Sequence, residues 1–252
     1  MLDPGDEQAQ GVLSRSGESP VHFPTDMPTA INILWRTGRI RDIAQEFFAH
    51  HPAARGVNLG AGLTDYFQWL DNGRNRWLDV DLPAVIALRR QLLPSHHARQ
   101  TTQVDDLRTS GWWQRLRLQR GRSPLLLVCE GVLMYMQTEQ IRAFFHEIGE
   151  RAPAGTELVF DFISPLGIGQ TIAANRHPGD ATAFTWGTRH ARDLTQLHPR
   201  LHLVGEYSVA EAYGWCGAWL ETLWSPLTGG PLYGLAHLRV GSGDGCGTSH
   251  PR

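Results

Sequence analysis

Residues 56–70 read GVNLGAGLTDYFQWL. An apolar start (Val57, Leu59) gives way to a turn at Gly60 and Gly62, then to a helical pattern carrying Tyr66, Phe67, Trp69 and Leu70. Strand, glycine turn and helix in that order open the ligand crevice of a doubly wound α/β sheet. Glycine leaves the backbone bare, so a ligand can approach it. A helix behind the turn adds free N–H groups and a partial positive charge, which favour an anionic group.

Asp65 stands where a dinucleotide fingerprint needs its third glycine, which disfavours a pyrophosphate and hence a nicotinamide oxidoreductase. The next strand, in WLDVDLP at 77–83, ends on Asp79 and Asp81. Asp81 lies 21 residues after Gly60, the separation at which such folds place a carboxylate on a ribose. A glycine turn with a ribose carboxylate and no pyrophosphate cradle suits an adenosine ligand with a small zwitterionic tail. S-adenosyl-L-methionine fits that description.

Three motifs, VNLGAGL (57–63), WLDVDLPAVIALRRQLL (77–93) and VCEGVLMYM (128–136), follow one another in an order and spacing similar to the leucine carboxyl methyltransferase family. The resemblance runs over about 57–163 and extends to the polyketide, tetracenomycin-like O-methyltransferase branch. It implies a class I, Rossmann-like methyltransferase fold: a seven-stranded, mostly parallel sheet with its last strand antiparallel, helices on both faces and a small lid insertion. It also implies cofactor roles. Gly60, Ala61 and Gly62 form the cofactor loop, with Asn58 in the strand before it; Asp81 meets the ribose, with Leu82 beside it as a further cofactor-binding residue; and Asp106 and Leu107 meet the adenine. Glu130 meets the methionine ammonium group, and Gly131 opens the loop, to Met136, beside the sulfonium. Arg36, with Arg39 second, meets the methionine carboxylate. Leu133, Met134 and Tyr135 wall the sulfonium. The chain departs from the family pattern at Asn58, where an acid is usual, and at Thr64-Asp65-Tyr66, where Asp-Thr-Arg is usual.

The totals bound the alternatives. With 252 residues, 41% hydrophobic and 19% charged, the chain suits one soluble α/β domain. A net charge of −2 and the lack of a basic run give no argument for nucleic acid or a membrane surface. The most apolar run, Leu125 to Cys129, has strand length and cannot span a bilayer. Cys129, Cys216 and Cys246 are few and scattered, which suits a reducing cytoplasm and no zinc site. The 12 histidines include His50-His51 and His96-His97 at expected helix ends, with no metal-binding pattern.

Taken in order, residues 1–26 read as a mobile N-terminal arm and 27–240 as the methyltransferase domain. Two short helices are expected over 29–49, broken near Gly38. Strands are expected at 56–60, 76–80, 99–104, 125–129, 156–163, 201–208 and 232–240. Helices are expected at 65–72, from Pro83 to Pro94, around Trp112 to Leu118, at 137–151 and at 209–223. The last carries Tyr213, Trp215, Trp219, Leu220 and Leu223 as its apolar set. Asp105-Asp106 is also a good helix N-cap. Residues 164–197 form the lid, and 241–252 a disordered tail.

In-line methyl transfer needs alignment and exclusion of water, and no metal. Catalytic candidates are Arg189, to clamp a carboxylate acceptor, and His190, as a base for a hydroxyl, with Tyr135 beside the sulfonium. His198 and His202 are alternatives to His190, and Phe184 and Trp186 complete an aromatic acceptor wall. The expected partner is a small-molecule acceptor, and a homodimer stays open. Three other readings also stay open: a protein or peptide C-terminal carboxylate as acceptor, methylation at N, S or C, and a non-catalytic scaffold on the same fold.

Overall fold

The computed structural model describes residues 14, 27–93, 97–118, 123–170 and 183–242. The arm, apart from Ser14, and the tail from residue 243 therefore lie outside the described residues, as does the lid between 171 and 182.

Helix α1 (Met27–His50) is followed by β1 (Arg55–Leu59), a single-turn α2 (Phe67–Leu70), β2 (Arg76–Asp81) and α3 (Pro83–Leu92). Then come β3 (Gln100–Val104), α4 (Trp112–Arg115), β4 (Leu125–Cys129), α5 (Thr138–Arg151) and β5 (Glu157–Ile163). After α6 (Arg192–Thr195) the chain forms β6 (Leu201–Ser208), α7 (Gly214–Thr228) and β7 (Tyr233–Val240). The seven strands lie in the order β3-β2-β1-β4-β5-β7-β6. Strand β7 runs antiparallel to both β5 and β6, and the remaining pairings are parallel.

Alternation along the strands sends side chains into two layers. On one face Val57, Leu59, Leu127 and Phe160 pack against Trp112, Trp113, Phe144 and Phe145. On the other, Leu126, Val128 and Val159 pack against Ile40, Phe47, Phe48 and Phe67. Strands β4 and β5 are buried along their whole length, as central strands covered on both faces must be.

Three expectations change. Residues 27–50 form one helix of 24 residues, not two broken at Gly38. A glycine costs a helix about 1 kcal/mol, whereas each buried Ile or Phe returns about 1.5–3. Ile40, Ala44, Phe47 and Phe48 supply that burial on one face. Second, the helix after the glycine turn is only four residues long, so one turn of dipole replaces the longer helix expected there. Third, three apolar residues expected to face the core from α7 do not enter it: Trp215 is 82% exposed, Trp219 60% and Leu223 54%. That helix packs through Gly217, which faces the Ala210 carbonyl, and the aromatic stripe points away.

Candidate functional site

The crevice forms at the C-terminal ends of β1, β2 and β4. Gly60 and Ala61 donate backbone hydrogen bonds to the Val80 carbonyl (2.8 and 3.0 Å), stapling the turn to β2. Gly60 has φ +78°, and a Cβ there would sit 2.2 Å from Val132, so only glycine fits. Gly62 has φ +50°, and a Cβ there would meet nothing within 4 Å: bare backbone faces open space.

The turn is held from beneath by a buried polar network. Arg89, 2% exposed, pairs with Asp79 at 3.0 Å and donates to the carbonyls of Gly62 (3.1 Å) and Thr64 (2.6 Å). Gln100 bridges Asp65 and Asp79 (2.8 and 2.9 Å), and the Trp77 indole also donates to Asp79. Burial raises the Asp65 carboxyl above its usual range, with Gln100 and Arg89 opposing. Asp65 thus belongs to the support of the turn.

A cavity of about 420 Å³ opens above it. Of the sequence candidates, Arg36, Gly60, Ala61, Gly62, Asp81, Leu82, Asp106, Leu107, Glu130, Gly131 and Tyr135 all line it. Asp81 accepts from the backbone N–H of Gly62 (2.8 Å) and of Leu82 (2.7 Å). Asp106 is gripped by Arg108 (2.8 and 2.7 Å), and this hydrogen bonding, against a little desolvation, holds its carboxyl below the usual range. Its neighbour Asp105 pairs instead with Arg115 at 2.7 Å.

At the far end of the cavity, charges interlock. Arg36 reaches from α1 to Glu130 (2.6 Å) and Asp161 (2.8 Å), and donates to the Tyr233 hydroxyl (2.5 Å). Glu130 also accepts from the Tyr66 hydroxyl, and Asp161 from the Gly131 N–H (2.7 Å) and the Tyr233 hydroxyl (2.5 Å). Burial draws the Arg36 pKa down, but Asp161, Tyr233 and Glu130 outweigh it and hold it well above its usual value. Burial raises Tyr66 and Tyr233 strongly, with Glu130 and Asp161 respectively adding to the rise. Tyr135 is raised by burial and by Asp161. These phenols therefore stay protonated near neutral pH.

Some candidates are elsewhere. Asn58 is buried behind the turn, facing Asp79 at 3.4 Å, and does not line the cavity. As a mid-strand residue it points into the layer beneath, not over the strand end. Arg39 pairs with Glu211 and lies over the Tyr207 ring. Arg189 and His190 are also outside the cavity lining. The His190 ring donates to Glu206 of β6 (3.1 Å), which ties it to the edge strand, and Arg189 lies against Gly229. His198 is occupied by Glu150 (2.9 Å), and His202 abuts Gly241. In the expected lid segment, Thr185 and Trp186 both donate to the Met134 carbonyl, with Trp186 in the core and Phe184 against Tyr135. Among the described residues no cluster could hold a metal, and no helix is long and apolar enough to cross a membrane.

Tyr66, Asp161 and Tyr233 were not among the sequence candidates. Asp161 carried a signal: a carboxylate inside the apolar strand ELVFDFI is costly to bury without a partner. Tyr233 carried none, because its role depends on β7 folding back beside β5.

The leucine carboxyl methyltransferase family model matches residues 8–149. The chain is 24% identical over 209 residues to the tetracenomycin polyketide synthesis O-methyltransferase of Streptomyces glaucescens, covering 82% of this chain and 76% of that one. It is 23% identical to an S-adenosyl-L-methionine-dependent methyltransferase of Gibberella zeae, covering 95% and 86%. Among solved structures, a DUF574 family protein from Streptomyces avermitilis aligns with a TM-score of 0.57 at 17% identity, covering 94% and 91%. An O-methyltransferase family protein from Burkholderia thailandensis aligns at 0.51 and 15% identity, and there this chain, at 82% coverage, spans 57% of the other's length. The chain belongs to the leucine carboxyl methyltransferase family, and its sheet is that of a class I methyltransferase.

Proposed function

We propose that this methyltransferase moves the methyl group of S-adenosyl-L-methionine onto an oxygen, hydroxyl or carboxylate, of a small polyketide-type molecule. One observation carries the reading: a single cavity joins the bare backbone of Gly60 to Gly62 with Asp81, Asp106 and Glu130 along one sheet edge. Its volume, about 420 Å³, lies within the range of roughly 300–1,000 Å³ usual for small-molecule sites. The relative from Streptomyces glaucescens, named as an O-methyltransferase, supports oxygen as the acceptor atom.

When bound, the sulfonium supplies an already activated methyl group. Asp81 accepts from the ribose hydroxyls. Asp106 accepts from the adenine amine and Leu107 covers the ring. Glu130 and the Arg36–Asp161 pair form a dipolar end for the zwitterionic tail, Glu130 meeting the ammonium and Arg36 the carboxylate. Tyr135, protonated and half-buried, donates a hydrogen bond that orients the acceptor oxygen. The bound group would supply its methyl to that oxygen and leave as the neutral thioether, and a hydroxyl acceptor's proton would pass to solvent at the mouth of the cavity. The residues contribute alignment and exclusion of water, the main requirements of this displacement.

Calorimetry with S-adenosylhomocysteine tests the reading. Binding in the micromolar range is expected. No heat at millimolar ligand, about −4 kcal/mol or weaker, would leave a non-catalytic scaffold as the better account.

A further inference from the structure

A second cavity, of about 470 Å³, opens on the same edge of the sheet. Ser208 at the end of β6, Ala210 in the turn after it, Cys216, Gly217 and Glu221 on α7, and Leu232 before β7 line it. The strand register fixes its level. Ser208 pairs with Gly234, and Ile163 at the end of β5 pairs with Tyr233. Leu232 therefore walls this cavity, while Tyr233, the next residue, bonds Arg36 and Asp161 at the wall of the first.

Backbone contact shapes the space. A Cβ on Gly217 would lie 2.0 Å from the Ala210 carbonyl oxygen, and one on Gly230 would lie 2.1 Å from that of Arg189. The walls are mostly apolar and carry few polar groups, the composition of small-molecule sites. Among the described residues, the charged side chain in the lining is Glu221, which accepts from the Ser208 hydroxyl. A carboxylate offers about four acceptor positions, so Glu221 can take a second donor. Two basic side chains close by do not enter the lining: His190 donates to Glu206, and Arg189, exposed, lies against Gly229.

We infer that this second cavity holds the body of the methyl acceptor, and that the acceptor is a neutral, hydroxylated aromatic molecule, not a carboxylate. The inference rests on the methyltransferase reading above. A ligand carboxylate here would be brought against Glu221, like charge on like, whereas a ligand hydroxyl donates to it. The ends of β4 and β6 are three strand spacings apart, about 14 Å. The ligand is therefore elongated, with its body by Glu221 and its reacting oxygen toward Gly131 and Tyr135.

A matched pair of probes tests this: 2-naphthol and 2-naphthoate share a ring system and differ in charge. Both are titrated calorimetrically into the full chain saturated with S-adenosylhomocysteine. Naphthol should bind at least about tenfold more tightly than naphthoate, the worth of one charged hydrogen bond. Glu221→Gln should shrink that preference to about threefold or less, because the amide no longer repels the anion. Cys216→Phe, which fills the cavity, should cost naphthol affinity about tenfold while S-adenosylhomocysteine binds within about twofold of the parent. Equal binding of the two probes, no naphthol binding at millimolar concentration, or naphthol binding untouched by Cys216→Phe overturns the inference. If S-adenosylhomocysteine itself fails to bind, the methyltransferase reading falls. If it binds and naphthol does not, only the acceptor site falls.

Discussion

The half of the sheet carrying β1 to β4 and the half carrying β5 to β7 are built to different rules. In the first, the groups facing the cavity sit at strand ends or within a few residues of them: Gly60 to Gly62 after β1, Asp81 at the end of β2 with Leu82 after it, Asp106 and Leu107 after β3, Glu130 and Gly131 after β4. In the second, the polar cluster joins residues far apart in the chain. Arg36 meets Asp161 across 125 positions and Tyr233 across 197. Parallel strands with right-handed crossovers deliver all their C-terminal ends to one edge, so a recognition group needs only its place after a strand. Long-range clusters need the whole fold first.

The largest effect should come from beneath the glycine turn. Arg89→Met leaves Asp79 and Asp65 buried without their cation and frees the carbonyls of Gly62 and Thr64. Breaking a buried pair from one side costs about 3–5 kcal/mol. Arg189→Met, at an exposed site in the other half, should stay within about 0.5 kcal/mol. Urea unfolding of both variants checks the contrast. A loss below about 1 kcal/mol for Arg89→Met would remove the buried support as a cause of the turn's shape.

Ligand binding should follow, one step smaller. Asp81→Ala and Glu130→Ala should each weaken S-adenosylhomocysteine binding by about 1–3 kcal/mol, the range for removing one partner of a charged hydrogen bond. Parent-like affinity in both variants breaks the assignment of the first half as the donor site.

The same contrast explains what the sequence disclosed. Leu125 to Cys129 could be delimited to the residue, because a continuous apolar run preceded by Ser123-Pro124 leaves little choice. The strand-end acids Asp81, Asp106 and Glu130 were readable for the positional reason above. Asn58 lies in β1, and the pleat turns it to the layer holding Asp79, away from the cavity lining, which a motif match does not show. The α7 stripe misled differently. Trp215 and Trp219 have the spacing of a buried face, and spacing does not say which face a neighbour covers. His190 and Arg189 looked like site residues by type alone, and the edge strand claims His190 through Glu206.

Acid should weaken the second half through a known group. Glu157 on β5 faces Arg239 of β7 in register and bonds His237 (2.8 Å) and Arg239 (2.7 Å). Burial raises its carboxyl pKa, but His237 and Arg239 outweigh burial and leave it below the ordinary value of 4.5. With a lower pKa folded than unfolded, its contribution is fully present above that ordinary value and is lost as pH falls through the depressed one. The stability gap between parent and Glu157→Gln, measured by denaturant at pH 7 and again near pH 3.5, should therefore narrow on acidification. A gap that holds or widens places the acid sensitivity outside the β5–β7 ladder.

His190→Ala should have the smallest effect, and its smallness separates two accounts of the chemistry. As a general base, His190 would contribute about 10²–10⁴-fold to the rate. In the fold its ring instead donates to Glu206, whose other oxygen accepts from the Ala191 N–H (2.5 Å). The pair is partly exposed, so its loss should cost well under 1 kcal/mol of stability. S-adenosylhomocysteine affinity should not move, since the ring is outside the cavity that gathers the donor groups. Turnover on a hydroxylated aromatic acceptor should fall by no more than about threefold, since the proposed alignment by Tyr135 does not need the imidazole. A fall of a hundredfold with unchanged affinity would return the base to His190, and the acceptor half would then have to close around it.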